Sequence, residues 1–174
     1  MNSNKNLVLI GMMGSGKSII GSLLSENLNL EFKDVDSIIE KEAGFKISEI
    51  FNKKGENYFR KLEEKITLQL LKSQNTIVSL GGGGFINKNI RYQVLKNHLS
   101  FWLNWENSTL INRIIKSKKR PIAFNSNENE IKKMIMDRSK LYSMANFRVN
   151  CENLSKNKIV NKIKDIYEKN QNNC

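Results

Sequence analysis

Short apolar runs alternate along this chain with longer segments in which apolar residues recur at helical spacing. The short runs are rich in Val, Ile, Leu and Phe, as β-strands are, and each longer segment has one apolar face, as an amphipathic helix has. The predicted strands are 6–11, 30–36, 76–80, 99–105 and 146–151. The predicted helices are 18–28, 37–44, 47–55, 55–73, 87–97, 107–119, 128–145 and 155–170.

This alternation predicts an α/β fold with a central parallel sheet of about five strands and helices on both faces, because a helix that joins two parallel strands packs back onto the sheet. A length of 174 residues, with no repeat and no linker, is typical of a single domain over 1–174. The polar segment "RPIAFNSNEN" lies between two predicted helices. We expect it to belong to a mobile lid at about 114–127.

The composition is ordinary for a soluble protein, with 39% hydrophobic and 26% charged residues. No apolar run is long enough to span a membrane, and "MNSNKN" lacks the apolar core of a signal peptide. We therefore expect a cytoplasmic protein without a membrane partner. Cys151 and Cys174 lack metal-ligand spacing, and we expect both to be reduced.

The net charge of +12 suits either nucleic acid or a small anionic ligand. The lysines are spread along the whole chain, and no basic motif is interleaved with aromatic residues. We therefore expect no nucleic-acid partner, although a nucleotide-gated RNA-binding protein stays an alternative.

The stretch "GMMGSGKS", residues 11–18, matches the phosphate-binding pattern G-x-x-x-x-G-K-[ST] between a predicted strand and a predicted helix. Its glycines let the backbone turn tightly and aim N–H groups inward, and the helix N-terminus adds positive potential. Lys17 can reach the β- and γ-phosphates, and Ser18 can hold Mg²⁺. The loop predicts nucleotide binding and does not identify the phosphate acceptor.

The acidic pair "DVD", Asp34 and Asp36, is predicted to end the second strand with both carboxylates on one face. Ligands bind outside the carboxyl ends of the strands in such sheets. One carboxylate can serve Mg²⁺, while the other accepts a substrate hydroxyl and takes its proton. Asp36 could instead cap the helix that follows. The residues alone leave both interpretations open.

Two further features concern the acceptor. On a helix, Arg60 shares a face with Glu63 and Glu64, so it forms either a surface ion pair or a guanidinium that Glu63 orients toward a substrate carboxylate. The four glycines at 81–84 follow a buried strand, where they make either a flexible turn or a place for close approach of a ligand.

Two more arginines are candidates. Arg120 opens the predicted lid and could reach the transferring phosphate on closure, and Arg138 lies in the next helix. Taken alone, each arginine is expected in solvent. Phe51 and Phe59 are expected in the core, with a pocket wall beside Arg60 as the alternative.

In chain order, "GMMGSGKS", "DVD", "FRKLE", "GGG", "RP" and "RSKLY" resemble the motifs of the shikimate kinase family over roughly 6–149. The resemblance implies a P-loop kinase with a mobile lid. It implies transfer of the γ-phosphate of ATP to the 3-hydroxyl of shikimate in aromatic amino-acid biosynthesis. It further implies one Mg²⁺ per subunit, bound with ATP, and a monomer. After the last predicted strand, "NCENLSKNK" lacks the proline of the family's adenine site.

The resemblance also assigns roles to residues, with the shikimate-binding helical region at about 35–63. The catalytic roles fall on Lys17, Asp36 and Arg120. The shikimate contacts fall on Asp36, Arg60, Gly81, Gly82, Gly83 and Arg138, with Phe51 and Phe59 as an apolar wall. The nucleotide contacts fall on Gly14, Ser15, Gly16, Lys17, Ser18, Ile19, Arg113 beside the adenine, and Arg120. The Mg²⁺ site falls on Ser18 and Asp34.

Three alternatives differ in what they leave unexplained. Another small-alcohol kinase, such as gluconate kinase, has no need for Arg60 and Arg138 as a pair. An RNA-binding protein predicts affinity that falls steeply with salt, and it gives Asp36 and the glycine run no purpose. A relative that binds ATP without turnover would not need the full set of catalytic residues that the resemblance implies.

Overall fold

The computed structural model describes residues 5–116 and 127–171. Five strands form one sheet in the order β2-β3-β1-β4-β5, and all neighbouring strands are parallel. The strands are β1 (Leu7–Ile10), β2 (Glu31–Asp34), β3 (Thr76–Ser79), β4 (Leu99–Asn104) and β5 (Phe147–Asn150). The predicted α/β fold with a five-stranded parallel sheet is confirmed.

Seven helices connect and follow these strands within the described residues. They are α1 (Lys17–Leu28), α2 (Val35–Ala43), α3 (Ile47–Leu70), α4 (Lys88–Asn97), α5 (Asn107–Lys116), α6 (Glu128–Tyr142) and α7 (Lys156–Gln171). A short 3₁₀ turn, Gly84–Ile86, precedes α4. The backbone of α3 is kinked at Gly55, where φ is 77°. A left-handed residue interrupts helical geometry, so the two helices predicted on either side of Gly55 run together with a kink between them.

Apolar residues fill both faces of the sheet. Along β1, Val8 and Ile10 belong to one buried cluster, whereas Leu7 and Leu9 belong to another, as alternation along a strand requires. Helices α2 to α6 contribute to the first cluster, and α1 and α7 contribute to the second. The prediction of helices on both faces is therefore confirmed.

The parallel arrangement brings the carboxyl ends of all five strands to one edge of the sheet. The register aligns Ile10 of β1 with Trp102 of β4, and Asp34 of β2 with Ser79 of β3. The phosphate-binding loop and the glycine run each follow one of these strand ends, and the acidic pair begins at the last residue of β2. In open α/β sheets this edge is where ligands bind.

The expectation that both acids of "DVD" project from a strand is wrong. Strand β2 ends at Asp34, whose carboxylate accepts a 3.2 Å hydrogen bond from the Ser37 backbone N–H and so caps α2. Asp36 lies in the first turn of that helix, so it is not the cap either. A capping aspartate at a strand end starts the helix at once, and a second acid is favourable in the first turn because of the helix dipole.

The predicted lid lies mostly outside the described residues, which include neither Arg120 nor any other residue of 117–126. Helix α5 is described up to Lys116, and α6 follows Asn127, whose side chain caps it by accepting from the Glu130 N–H at 3.0 Å. In the two described ranges, we find no helix long and apolar enough to cross a membrane.

Candidate active site

The phosphate-binding loop joins β1 to α1. Its three glycines, Gly11, Gly14 and Gly16, have φ values of 145°, 79° and 89°, which residues with a Cβ rarely adopt. Lys17 is only 7% exposed, and its ammonium donates to the carbonyls of Gly11 (2.8 Å) and Met12 (3.0 Å). Ile19 is exposed in the first turn of α1. The loop therefore places a positive charge beside a helix N-terminus, an arrangement that binds phosphate.

A hydroxyl and a carboxylate meet directly beside this loop. The Ser18 hydroxyl donates to Asp34 Oδ2 at 2.6 Å, while the other Asp34 oxygen caps α2. These hard oxygen donors suit Mg²⁺, which keeps several waters and takes its remaining ligands from nucleotide phosphates. Across the residues the structure describes, no cluster of three or more His, Cys, Asp or Glu could hold a metal without such help. The Ser18–Asp34 pair therefore fits a magnesium ion that arrives with a nucleotide.

Two carboxylates pack against the first glycine of the run. A Cβ built on Gly81 would lie 2.6 Å from Asp36 Oδ1 and 2.7 Å from Glu63 Oε1. Any side chain at position 81 would therefore displace at least one of them. Gly81 thus leaves room for two acidic groups at the edge of the sheet, an observation that argues against a merely flexible turn, while close approach of a ligand stays a prediction.

Arg60 lies between two glutamates of α3. Its Nη1 is 2.7 Å from Glu63 Oε2, and its Nη2 is 3.0 Å from Glu56 Oε1. The structure thus brings Arg60 and Glu63 together, as helical spacing predicts. Glu64 instead accepts hydrogen bonds from Asn87 (2.9 Å) and Asn89 (2.6 Å). The guanidinium of Arg60 also occupies the space that a side chain would fill at the third glycine of the run.

Glu63 is a buried acid with one unsatisfied oxygen. The residue is 2% exposed, and its Oε1 has no hydrogen-bond partner among the described residues. Burial raises the pKa of Glu63 above its ordinary value, with a further contribution from Asp36, while Arg60 and Arg138 oppose the rise. A buried oxygen without a donor marks a place where a hydroxyl could be bound.

The expectation that Arg138, taken alone, lies in solvent is wrong, since it is only 9% exposed. Its Nη1 donates to the Gly82 carbonyl at 3.2 Å, and the Tyr142 hydroxyl donates to the same carbonyl. These two residues are four positions apart and therefore share one face of α6. Burial raises the pKa of Tyr142 to about 12, so its hydroxyl remains a donor at neutral pH. Two side chains of α6 thus donate hydrogen bonds to the carbonyl of the second glycine of the run.

The two phenylalanines predicted near Arg60 contact each other. The ring centroids of Phe51 and Phe59 are 4.7 Å apart, and the Arg60 guanidinium carbon lies 5.1 Å from the centre of the Phe59 ring. Phe59 is buried in the core, whereas Phe51 is half-buried. An apolar surface therefore lies beside Arg60, and its contact with a substrate stays a prediction.

On the other side of the phosphate-binding loop, Arg113 donates to the Gly14 carbonyl at 3.3 Å. Its guanidinium carbon stacks 3.8 Å from the ring centroid of Trp105. The Trp105 indole N–H donates to the Ser15 carbonyl at 2.9 Å. The family resemblance predicted a role for Arg113, whereas Trp105 was predicted only as the end of a strand. An aromatic residue directly after the carboxyl end of a strand was the available signal.

Two halves of one site lie at the same edge of the sheet. One half is the phosphate-binding loop with the Ser18–Asp34 pair, and the other is the glycine run with its carboxylates and arginines. Together they define a P-loop kinase of small molecules. The family model described as shikimate kinase matches residues 13–168. The shikimate kinase of Persephonella marina is 42% identical over 160 residues, which are 91% of this chain and 96% of that protein. The chain therefore belongs to the shikimate kinase family and is an ATP-dependent phosphotransferase.

Further relatives agree with this assignment. The shikimate kinase of Bacillus subtilis is 38% identical over 165 residues, covering 91% of this chain and 87% of that protein. A structure of shikimate kinase from Acinetobacter baumannii in complex with shikimate superposes with a TM-score of 0.91 at 27% identity, covering 97% of this chain and 96% of that chain. A deoxyadenosine kinase from M. mycoides, at 16% identity and a TM-score of 0.63 over 94% of this chain and 98% of that one, shares the fold.

Proposed function

We propose that this chain transfers the γ-phosphate of ATP to the 3-hydroxyl of shikimate, giving shikimate 3-phosphate and ADP. The observation that carries the proposal is the convergence of side chains on the glycine run: Asp36 and Glu63 on Gly81, Arg138 on Gly82, and Arg60 on the glycine that follows. Two arginines and two carboxylates beside a phosphate-binding loop suit a small acid that also carries hydroxyl groups.

On the acceptor side, Arg60 and Arg138 bind the substrate carboxylate. Glu56 and Glu63 hold the guanidinium of Arg60, and the Gly82 carbonyl holds that of Arg138. Both arginines therefore lose little side-chain freedom when the substrate binds. Asp36 accepts a hydrogen bond from the 3-hydroxyl and takes its proton as the oxygen attacks phosphorus. The backbone of the glycine run contacts the hydroxyl-bearing ring of the substrate through Gly81, Gly82 and Gly83.

On the nucleotide side, Lys17 stabilises charge on the β- and γ-phosphates, and residues 14–19 surround them. Ser18 and Asp34 hold Mg²⁺, which neutralises phosphate charge when it is bound. We assign Arg113 to the adenine and Arg120 to the transferring phosphate, as the family resemblance implies. Phosphoryl transfer depends mainly on in-line positioning and charge stabilisation, and these residues supply both.

Family membership favours this proposal over gluconate kinase and over RNA binding. The monomeric state and the cytoplasmic location stay predictions.

The proposal predicts ADP release that depends on shikimate. Purified protein with ATP and Mg²⁺ is expected to release ADP rapidly when shikimate is added and only slowly without it or with gluconate. A coupled assay for ADP measures the rate. Equal rates with and without shikimate, from a protein that binds ATP, would contradict the proposal.

The variant Arg60→Met is expected to raise the KM for shikimate by about 10- to 100-fold, which corresponds to one charge-assisted hydrogen-bond pair. The KM for ATP should change little, since Arg60 directs its hydrogen bonds to Glu56 and Glu63 of its own helix. Steady-state kinetics with each substrate varied in turn measure both values. Lys61→Met, an exposed neighbour on the same helix, is the control. An unchanged KM for shikimate in Arg60→Met would remove Arg60 from the carboxylate site.

A further inference from the structure

We propose that Trp105 is a positioning residue for the phosphates of the nucleotide, acting through the carbonyl of Ser15. The inference rests on the proposed function, because it concerns the loop that would bind ATP. Trp105 lies between β4 and α5, 90 positions from Ser15 along the chain, and its indole Nε1 donates to the Ser15 carbonyl at 2.9 Å.

The geometry of the peptide bond connects this contact to the phosphate site. The Ser15 carbonyl and the Gly16 N–H belong to one planar trans peptide, so they point in opposite directions. The hydrogen bond fixes the Ser15 carbonyl on the side of the loop that faces Trp105. The Gly16 N–H is therefore directed to the opposite side, where the phosphates would lie.

The backbone on the C-terminal side of this peptide offers little resistance to rotation. Turning the peptide over changes φ of Gly16, which is 89°, and glycine moves between left- and right-handed conformations more readily than any other residue. Within the loop, Ser15 also donates its own N–H to the Met12 carbonyl at 3.1 Å. The hydrogen bond from Trp105 therefore fixes a peptide that Gly16 would otherwise leave free to turn over.

Trp105 itself is held firmly. The preceding Asn104 accepts a 2.9 Å hydrogen bond from the Cys151 N–H through its carbonyl, and the following Glu106 N–H donates to Glu152 at 3.2 Å. The ring of Trp105 packs against Arg113, whose Nη1 donates to the Gly14 carbonyl, so the two side chains hold consecutive carbonyls of the loop from outside. A side chain fixed in this way can hold the loop in one conformation before a nucleotide binds.

The test is the variant Trp105→Phe, which keeps an aromatic ring against Arg113 and loses the N–H donor. Affinities for ATP and for inorganic triphosphate are measured by calorimetry in the presence of Mg²⁺. We expect both affinities to fall by the same factor, about three- to tenfold, as the loss of one hydrogen bond predicts. The KM for ATP should rise while the KM for shikimate stays unchanged, a split that general loss of structure would not produce.

Trp102→Phe is the matched control, since Trp102 lies on β4 three positions before Trp105 and its ring packs against Tyr142 and Arg148. Its affinity for triphosphate should equal that of the wild type. Trp105→Leu also lacks the donor and should lose at least as much affinity as Trp105→Phe.

Two other outcomes would overturn the inference. If Trp105→Phe binds both ligands as tightly as the wild type, the indole hydrogen bond does not position the phosphates. If the loss is confined to ATP, Trp105 acts on the base through Arg113. A wild-type chain that binds neither ligand would instead contradict the proposed function, so the two failures are distinguishable.

Discussion

Replacing Asp36 by asparagine is expected to lower kcat for shikimate phosphorylation by about 10²- to 10⁴-fold, the range that a general base contributes, while ATP still binds. Asparagine keeps the size of the side chain and one acceptor oxygen, but it cannot take the proton of the attacking hydroxyl. The carboxylate lies against Gly81 in the first turn of α2, two positions after Asp34, which pairs with Ser18. Proton transfer and phosphate binding therefore depend on neighbouring but separate carboxylates.

The measurement is a steady-state rate at saturating ATP and shikimate, together with the dissociation constant for ATP. Asp137→Asn is the control, because Asp137 is an exposed acid of α6 that pairs with Lys140 at 3.1 Å. Two results would count against the assignment. Loss of ATP binding in Asp36→Asn would make Asp36 structural, and a nearly normal kcat would make it a binding residue without a role as base.

The sequence predicted the fold well because strand and helix periodicities are local properties. Each of the five strands begins and ends within two residues of its predicted bounds. The error at Asp34 and Asp36 arose where a strand passes into a helix without a loop. The three residues "DVD" are too few to distinguish the periodicity of a strand from that of a helix. Only the hydrogen bond from the Ser37 N–H to Asp34 shows where the helix begins.

Contacts of the candidate site between residues close together in the sequence could be predicted, whereas contacts between distant residues could not. Arg60 and Glu63 are three positions apart on one helix, so their pairing follows from helical geometry. The burial of Arg138 depends on Gly82, which is 56 positions away, and the contact of Trp105 with Ser15 spans 90. No periodicity encodes such contacts. The family resemblance supplied a role for Arg138, but nothing in the sequence analysis supplied one for Trp105.

The variant Gly81→Ala is expected to lower kcat/KM for shikimate by about 100-fold, because a misplacement of about 1 Å at reacting groups costs that much. The added Cβ would lie 2.6 Å from Asp36 Oδ1 and 2.7 Å from Glu63 Oε1, so one or both carboxylates must move. Gly84→Ala is the matched control in the same run, since its Cβ would be no closer than 3.5 Å to any neighbouring atom. We expect that variant to retain nearly normal activity.

The comparison of these two alanines separates close packing from flexibility. Both substitutions remove one glycine from the run and restrict the unfolded chain equally, so an effect of flexibility would appear in both. Only Gly81→Ala displaces carboxylates, and the atoms that must move are the ends of the Asp36 and Glu63 side chains rather than backbone. Thermal melting should therefore show that both variants are folded. Equal loss of kcat/KM in the two variants would show that the run acts through flexibility. Full activity of Gly81→Ala would show that the positions of Asp36 and Glu63 against Gly81 do not matter for the reaction.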